Sequence, residues 1–382
     1  MRIVCIAASF VPSHTANSIQ VLKASHALAE LGHEVTLLVP GDGEHPWEDL
    51  REHYGLRVPF EVEWVPENLT FRRYDYAYKA VRRARELQPD LVYTWVLQAA
   101  ALSLGWGIPT LLELHDRVTG RFGPWLFNRF WRSRTPKRVL TNTEALRQVL
   151  IESYHLEAQA GQILVGPNGV ELARFAGLPD PEAARKALSL PDGFTAGYTG
   201  HFYAGRGMAL MLGLAKSLPQ IQFLWVGGQP KDVALWRQRL QDEGVTNITL
   251  TGFVDNAILP QYQAAADVLL MPYGTRIAGS GGGNSAEIAS PMKMFEYMAA
   301  GRAILTSDLP VIHEVLNERT ALFCPPDDLA AWQNALVSLQ ADPAHRAALG
   351  AAAAEAVTAY TWTARASHAL DGWIENGSEL SG

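Results

Sequence analysis

The order of apolar segments at the start of the chain constrains its fold. Residues 3–8 are typical of a buried strand, residues 18–31 of a helix that ends at a glycine, and residues 33–39 of a second strand. Two strands joined through a helix lie parallel in one sheet, because antiparallel neighbours need only a short turn. Further strands are predicted at 90–94, 109–115, 138–142, 194–201, 221–226, 248–254, 268–272 and 303–306. The chain is therefore predicted to be an α/β protein with parallel sheets.

Length and composition narrow the class of protein. With 382 residues the chain exceeds one ordinary core, so two domains are expected. The net charge of −7 argues against nucleic acid as a partner. Cys5 and Cys324 are too few and too far apart for a disulfide framework. No apolar run approaches the ~20 residues of a membrane span, so a soluble, cytoplasmic protein is expected.

Residues 290–301 combine a helix start with two charged side chains. Ser290 is expected to cap the helix, and Pro291 suits its first turn. Lys293 and Glu296 are three residues apart and would share one edge. A helix start beside a lysine favours an anion, and a carboxylate on the next turn suits sugar hydroxyls, which predicts a pocket for a phosphorylated, ribose-bearing ligand. The alternative is an amphipathic helix on which the two charges form a solvated pair.

A glycine-bearing loop at residues 200–207 follows a predicted strand and precedes a helix predicted at 208–217. Small residues in such a loop let backbone N–H groups approach a phosphate. Arg206, within the loop, adds a fixed positive charge with forked donors. A second glycine-rich run at residues 279–283 could close over a diphosphate, and the alternative is a plain flexible loop.

Two loops of the first half follow strands, at the edge where open parallel sheets bind ligands. Ser13, Thr15 and Asn17 follow the first strand and could contact an acceptor substrate or form a hydrogen-bonded turn. His115 ends a later apolar strand, and Asp116 comes directly after it as a supporting residue. A lone histidine is more often structural, but its place at the ligand edge favours a functional role.

Two basic stretches carry the positive charge of the first half. Residues 71–85 hold six basic side chains against Asp75, and residues 117–138 hold seven with no acidic one. The second stretch also interleaves aromatic residues, a mixture that suits an anionic membrane surface at the inner face of the membrane. The alternatives are a solvated face over a core-facing stripe, or a site for a charged acceptor.

The pattern Ser-Pro-x-Lys-x-x-Glu-Tyr-Met-Ala-x-Gly at residues 290–301, followed by a strand, resembles the donor site of retaining glycosyltransferases of family four. The resemblance implies the GT-B architecture, in which two Rossmann-like, doubly wound parallel-sheet domains face a cleft. The Pro-Asn-Gly turn at 167–169 matches the family's inter-domain signature. The implied domains are an acceptor-side domain at 1–170 and a nucleotide-sugar domain at 171–359, with a helix at 360–382 packing back on the first.

The resemblance also implies roles for individual residues. His115 would lie against the donor sugar near the reacting carbon. The residues expected around the donor are Gly200, His201, Gly252, Phe253, Val254, Ser290, Pro291, Met292, Met294 and Glu296. The family has a further glutamate eight positions before Glu296, where this chain has Ile288, with Glu287 one residue out of register.

The predicted function is the transfer of a hexose from a nucleoside-diphosphate sugar, a UDP-sugar or GDP-sugar, to a hydroxyl acceptor. Arg206 and Lys293 would neutralise the departing diphosphate. No Asp-x-Asp pair is placed to hold a divalent ion, so no metal and no cofactor other than the co-substrate are expected. Retention of anomeric configuration is implied by the resemblance. The alternatives are a nucleotide-sugar-binding protein without turnover, or a GT-B sugar-nucleotide epimerase.

Overall fold

The structure is a computed structural model that describes residues 1–68, 70, 73–202, 204–277 and 286–373. The chain divides into two compact units. The first comprises Met1–Asn168 together with the segment that begins at Trp362, and the second comprises Gly169–Thr361. The sequence placed the domain boundary at residue 170 and expected a helix at 360–382. The helix found there is shorter, Trp362–Leu370, and residues 374–382 lie outside the described residues.

A parallel sheet forms the centre of the first unit. Its strands are β1 (Arg2–Ile6), β2 (Glu34–Pro40), β3 (Glu61–Val65), β4 (Leu91–Thr94), β5 (Thr110–Leu114), β6 (Lys137–Thr141) and β7 (Ile163–Val165). Among the described residues these strands are all parallel, in the order β3-β2-β1-β4-β5-β6-β7. The order reverses between β1 and β4, so the loops after these strands meet at a topological switch point.

Helices connect these strands. They are α1 (Ala16–Glu30), α2 (Trp47–Tyr54), α3 (Tyr74–Glu86), α4 (Leu97–Gly105), α5 (Gly123–Arg132) and α6 (Glu144–Tyr154). α1 begins two residues earlier than the sequence predicts, because the Thr15 hydroxyl caps it by accepting a hydrogen bond from the Ser18 N–H at 3.3 Å.

The second unit repeats this architecture with strands β8 (Thr195–Thr199), β9 (Gln222–Val226), β10 (Ile248–Gly252), β11 (Val268–Met271), β12 (Ala303–Ser307) and β13 (Leu322–Cys324). In the described residues they are all parallel, in the order β10-β9-β8-β11-β12-β13. The predicted α/β class with two parallel sheets is confirmed. The switch point of this sheet lies between β8 and β11, beside residues 200–207 and 272–277.

Its helices are α7 (Pro181–Ala187), α8 (Met208–Ser217), α9 (Pro230–Asp242), α10 (Leu259–Ala264), α11 (Met292–Ala299), α12 (Leu329–Ala341) and α13 (Pro343–Ala356), and the helix at Trp362–Leu370 of the first unit is α14. α8 has the bounds that the sequence predicts. Among the described residues, no helix has both the length and the apolar composition to cross a membrane.

The start of α11 differs from the prediction. Ser290 was expected to be the N-cap, but Pro291 occupies that position in an extended conformation and the helix begins at Met292. Proline lacks an N–H group, so it suits either position, and the sequence alone placed it one residue too far inside the helix. Gly301 follows the helix with φ +63°, the left-handed conformation expected of a terminating glycine.

The side chain of Asn247 links β10 to the end of α8. Its amide group donates hydrogen bonds to the carbonyls of Ala215, Leu218 and Ile221 at 3.0, 3.2 and 2.9 Å. Asn247→Ala leaves these carbonyls without that donor, so the protein should lose about 2 kcal/mol of stability and about 6 °C in Tm. Gln238→Ala, which removes an exposed hydrogen bond to Asp242, should change Tm by about 1 °C at most. Equal melting of the two variants in a thermal unfolding experiment would contradict this role.

Candidate functional site

Two loops approach each other closely at the switch point of the second sheet. Gly207, at the start of α8, has φ +72°, and a Cβ atom there would lie 2.2 Å from the carbonyl oxygen of Pro272. Gly200 has φ +135°, and a Cβ atom there would lie 2.7 Å from Nζ of Lys293. At Gly207 a Cβ atom would collide with backbone, and at Gly200 the positive φ disfavours any other residue, so both positions favour glycine.

Arg206 and Lys293 come together on one aromatic ring. The Arg206 guanidinium carbon lies 4.9 Å and Lys293 Nζ lies 5.8 Å from the ring centroid of Tyr273, which follows β11. Lys293 Nζ is also 3.9 Å from the ring centroid of Tyr198, within β8. Aromatic faces attract cations, so the rings hold both charges at this edge. The two basic residues named from the sequence are therefore neighbours.

The electrostatics of this cluster are unfavourable for additional positive charge. Burial, and then the charge of Arg206, hold the pKa of Lys293 well below its usual range, while Glu296 acts in the opposite direction. The pKa of His201 is lowered by burial and by the charges of Arg206 and Lys293. A bound anion would relieve the repulsion among these groups, so the cluster has the electrostatic character of an anion site.

Glu296 lies one turn beyond Lys293 on α11 and is held by two side chains. Its Oε2 accepts a hydrogen bond from Nε2 of Gln263 at 3.2 Å, and Nη1 of Arg174 lies 3.9 Å from its Oε1. Arg174 also donates to Oδ1 of Asn256 at 3.0 Å. The alternative of a solvated pair with Lys293 therefore does not describe Glu296, whose contacts in the structure are with other elements. These contacts fix the carboxylate near the segment that follows β10.

The other expected donor residues lie around the same edge. Gly252 has φ +77° and its carbonyl accepts a hydrogen bond from the Gly227 N–H at 2.7 Å. Phe253 is 56% exposed, whereas Val254 packs partly against the core. Met292 is half-buried, but the side chain of Met294 is buried in the core, which leaves only its backbone to face a ligand.

The position of the family's additional glutamate is filled by an apolar residue. Ile288 is buried, and Glu287 beside it is exposed. The glycine-rich run predicted to close over a diphosphate, residues 279–283, lies outside the described residues. No group of three or more potential metal-binding side chains was found in the described part of the chain.

In the first unit, the loop after β1 is hydrogen-bonded within itself. The Ser13 N–H donates to the Tyr54 hydroxyl at 2.7 Å, and the Ser13 and Thr15 hydroxyls are 2.9 Å apart. Asn17 is exposed on the first turn of α1. The structure thus has the hydrogen-bonded turn that was one of the two interpretations of this loop. Thr15 and Asn17 are both exposed, whereas Ser13 is half-buried.

His115 follows β5 and belongs to a buried polar network that the sequence analysis missed. Its Nε2 is hydrogen-bonded to Oε1 of Glu113 and lies 3.2 Å from Nε2 of Gln20. Asp116 accepts a hydrogen bond from the Arg117 N–H at 2.7 Å. Glu113 could have been noticed from the sequence, because it is the one charged residue in the apolar strand β5.

The two basic stretches differ in their surroundings. On α3, Arg83 is paired with Glu63 at 2.7 Å and Lys79 with Asp75 at 3.4 Å, while Phe71 and Arg72 lie outside the described residues. α5 instead buries Leu126, Phe127 and Phe130 and exposes Phe122 (53%) and Trp125 (61%), with basic side chains beside them. The charges of α3, which also exposes Tyr74 and Tyr78, are thus partly neutralised by acidic neighbours, whereas α5 has basic side chains beside its exposed aromatic ring.

Comparison with known proteins places this geometry in a family. Residues 18–174 match Glycosyltransferase Family 4, and residues 193–342 match the Glycosyl transferases group 1. The phosphatidyl-myo-inositol mannosyltransferase of Mycolicibacterium smegmatis is 27% identical over 360 residues, which cover 90% of this chain and 86% of that protein.

Solved structures share the fold of this chain. The Anabaena protein HepE in complex with UDP-glucose has a TM-score of 0.74 and 18% identity over 100% of both chains. A glycosyltransferase from Rickettsia africae has a TM-score of 0.76 and 14% identity over 98% of both chains. One family match lies mainly on the first parallel-sheet unit and the other lies on the second, and the solved structures share the fold of the chain. The chain therefore belongs to the family-four glycosyltransferases of GT-B architecture.

Proposed function

We propose that this glycosyltransferase transfers a hexose from a UDP-sugar or GDP-sugar to a hydroxyl acceptor, with retention and without a metal ion. The observation that carries the proposal is the convergence of Arg206 and Lys293 on the ring of Tyr273 at the switch point of the second sheet. A diphosphate is the anion that best matches two adjacent cations, one of which has forked donors. HepE, which has the same fold, was crystallised with UDP-glucose.

In the proposed reaction the bond between the anomeric carbon and the phosphate oxygen breaks, and the acceptor oxygen attacks that carbon from the same face. The acceptor proton passes to a phosphate oxygen of the leaving nucleoside diphosphate. Negative charge develops on the diphosphate as the bond breaks, so Arg206 and Lys293 stabilise the transition state more than the ground state. Glu296 would accept the ribose hydroxyls, and His115 would contact the transferred sugar.

Removing either cation should slow transfer. Arg206→Ala and Lys293→Ala should each lower kcat about 10²- to 10³-fold, the usual cost of losing one charge-stabilising group. Transfer and slow hydrolysis of UDP- and GDP-sugars would be measured in buffer containing EDTA. Lys216→Ala removes a lysine of the same unit that is paired with Glu243 at 2.6 Å, and it should leave kcat unchanged. Full turnover in the double variant of Arg206 and Lys293, or loss of the parent activity in EDTA, would contradict the proposal.

The lowered pKa of Lys293 gives a second test. Because the pKa of Lys293 is lowered in the free protein, a bound diphosphate should raise it and cause proton uptake at a pH between the free and bound values. Affinity for UDP or GDP should therefore fall as the pH rises through the alkaline range. Titration calorimetry at several pH values in the alkaline range, in two buffers of different ionisation enthalpy, would count the protons. Lys293→Arg stays charged and should abolish the uptake; equal uptake in this variant would show that another group titrates.

We further propose that the acceptor is presented at an anionic membrane surface, which the helix α5 contacts. Its exposed Trp125 lies beside Arg129, at 6.0 Å from ring centroid to guanidinium carbon, and both line a cavity of about 420 Å³ with Arg132. Aromatic side chains with nearby arginines suit the interface of an anionic bilayer. The mannosyltransferase relative is named for a phosphatidyl-inositol substrate, which is consistent with a glycolipid acceptor.

Vesicle binding tests this contact. Arg129→Gln combined with Arg132→Gln should weaken partitioning onto vesicles that contain anionic phospholipid about 30-fold, from about 1 kcal/mol per basic residue. Arg237→Gln combined with Arg319→Gln makes the same charge change at exposed positions of the second unit and should have little effect. Binding to purely zwitterionic vesicles should be weak for all variants. Equal partitioning of the two double variants would exclude α5 as the contact.

A further inference from the structure

The side chain of Glu113 is a buried carboxylate with an unusually complete set of donors. Its Oε1 accepts from Nη2 of Arg365 at 2.7 Å and from Nε2 of Gln20 at 2.5 Å, and it is also hydrogen-bonded to His115. Its Oε2 accepts from Nη1 of Arg365 at 3.2 Å and from the hydroxyl of Tyr93. The donors come from α1, β4, the end of β5 and α14, so four elements of the first unit fix one carboxylate.

The charge on Glu113 is stabilised by these donors. Burial opposes ionisation, but Arg365 and His115 outweigh it and hold the pKa of Glu113 far below its usual range. Arg365 is itself buried, and its Nε donates to the carbonyls of Gly166 and Pro167, both at 3.0 Å. A buried ion pair is a poor source of stability, because well-packed apolar residues of similar volume often stabilise a protein as well or better. A role beyond stability therefore accounts for the network better.

Glu113 lies near the end of β5 and His115 directly follows the strand, and their hydrogen bond shows that the two side chains lie on the same side. The carboxylate is fully buried, whereas the imidazole is 28% exposed and reaches the ligand edge of the sheet. An ionised carboxylate can only accept hydrogen bonds, so the shared proton resides on Nε2 of His115. In the neutral ring this leaves the lone pair on Nδ1.

We propose that Glu113, clamped by Arg365 and Tyr93, is a positioning residue that sets the tautomer and orientation of His115 for contact with the transferred sugar. The inference rests on the role of His115 in the proposed function. With its proton directed at Glu113, the ring presents Nδ1 as an acceptor for a sugar hydroxyl. Because both carboxylate oxygens are occupied by other donors, the ring cannot turn without losing its hydrogen bond to Glu113.

A double-mutant cycle separates positioning from a general structural role. Glu113→Gln should lower kcat about 10²-fold, the scale of a small misplacement of a reacting group. In the His115→Ala background the same change should have no further effect, because the residue through which it acts is gone. Asp267→Asn, which neutralises the carboxylate paired with Arg185 at 2.9 Å in the second unit, is the matched control. Its effect on kcat should be small and the same in both backgrounds.

Nitrogen NMR of the histidine-labelled full chain supplies a readout that does not depend on activity. The His115 signals, identified by their loss in His115→Ala, should report a single Nε2–H tautomer in the parent protein. They should shift toward a mixture of tautomers in Glu113→Gln but stay unchanged in Asp267→Asn. Unchanged His115 signals in Glu113→Gln, or equal losses of kcat in both backgrounds, would overturn the inference.

If Glu113→Gln does not fold, Glu113→Leu combined with Arg365→Met removes both buried charges together, a change that folded proteins often tolerate. That variant should melt near the parent temperature yet lose both the single tautomer and about 10²-fold in kcat. Normal turnover with mixed tautomers would overturn the inference.

Full activity of His115→Ala would instead show that His115 lacks its proposed role. Absence of any sugar transfer by the parent protein would refute the proposed function itself.

Discussion

The convergence of Arg206 and Lys293 on the ring of Tyr273 is the constraint on which the candidate site depends. Both side chains are half-buried, and burial, followed by the charge of Arg206, lowers the pKa of Lys293. The fold sustains them through the rings of Tyr198 and Tyr273 and through the packing of α11. A bound anion would favour the charged form of Lys293, which is consistent with the proposed diphosphate site.

The topology of the parallel sheet explains why these residues meet. Strand order reverses between β8 and β11, so the loops that follow these strands lie side by side at one edge. Gly200 and Gly207 allow backbone and lysine to approach at distances that a Cβ atom would block. Arg206 lies on the loop after β8, Tyr273 lies on the loop after β11, and Lys293 lies on α11, which precedes β12.

The two units differ in how far their buried charges are compensated by neighbouring groups. In the first, the carboxylate of Glu113 is fully compensated by Arg365 and neutral donors, which makes a rigid, balanced support behind His115. In the second, positive charge is in excess around Lys293. A balanced network suits a group that must be held in one orientation, whereas excess charge suits a site that binds and releases an anion.

The sequence by itself determined the fold class, the family, the bounds of α8 and the identity of the two cations. Apolar periodicity and glycine placement are local properties, and the motif at 290–301 is contiguous. It did not reveal β3, in which charged residues alternate with apolar ones, or β7 and β13, which are apolar but only three residues long. Only the tertiary structure decided that Glu296 contacts Gln263 and Arg174, and that Gln20, Tyr93 and Arg365 surround Glu113. These contacts join residues far apart in the chain, and no local pattern encodes them because the packing of separate elements creates them.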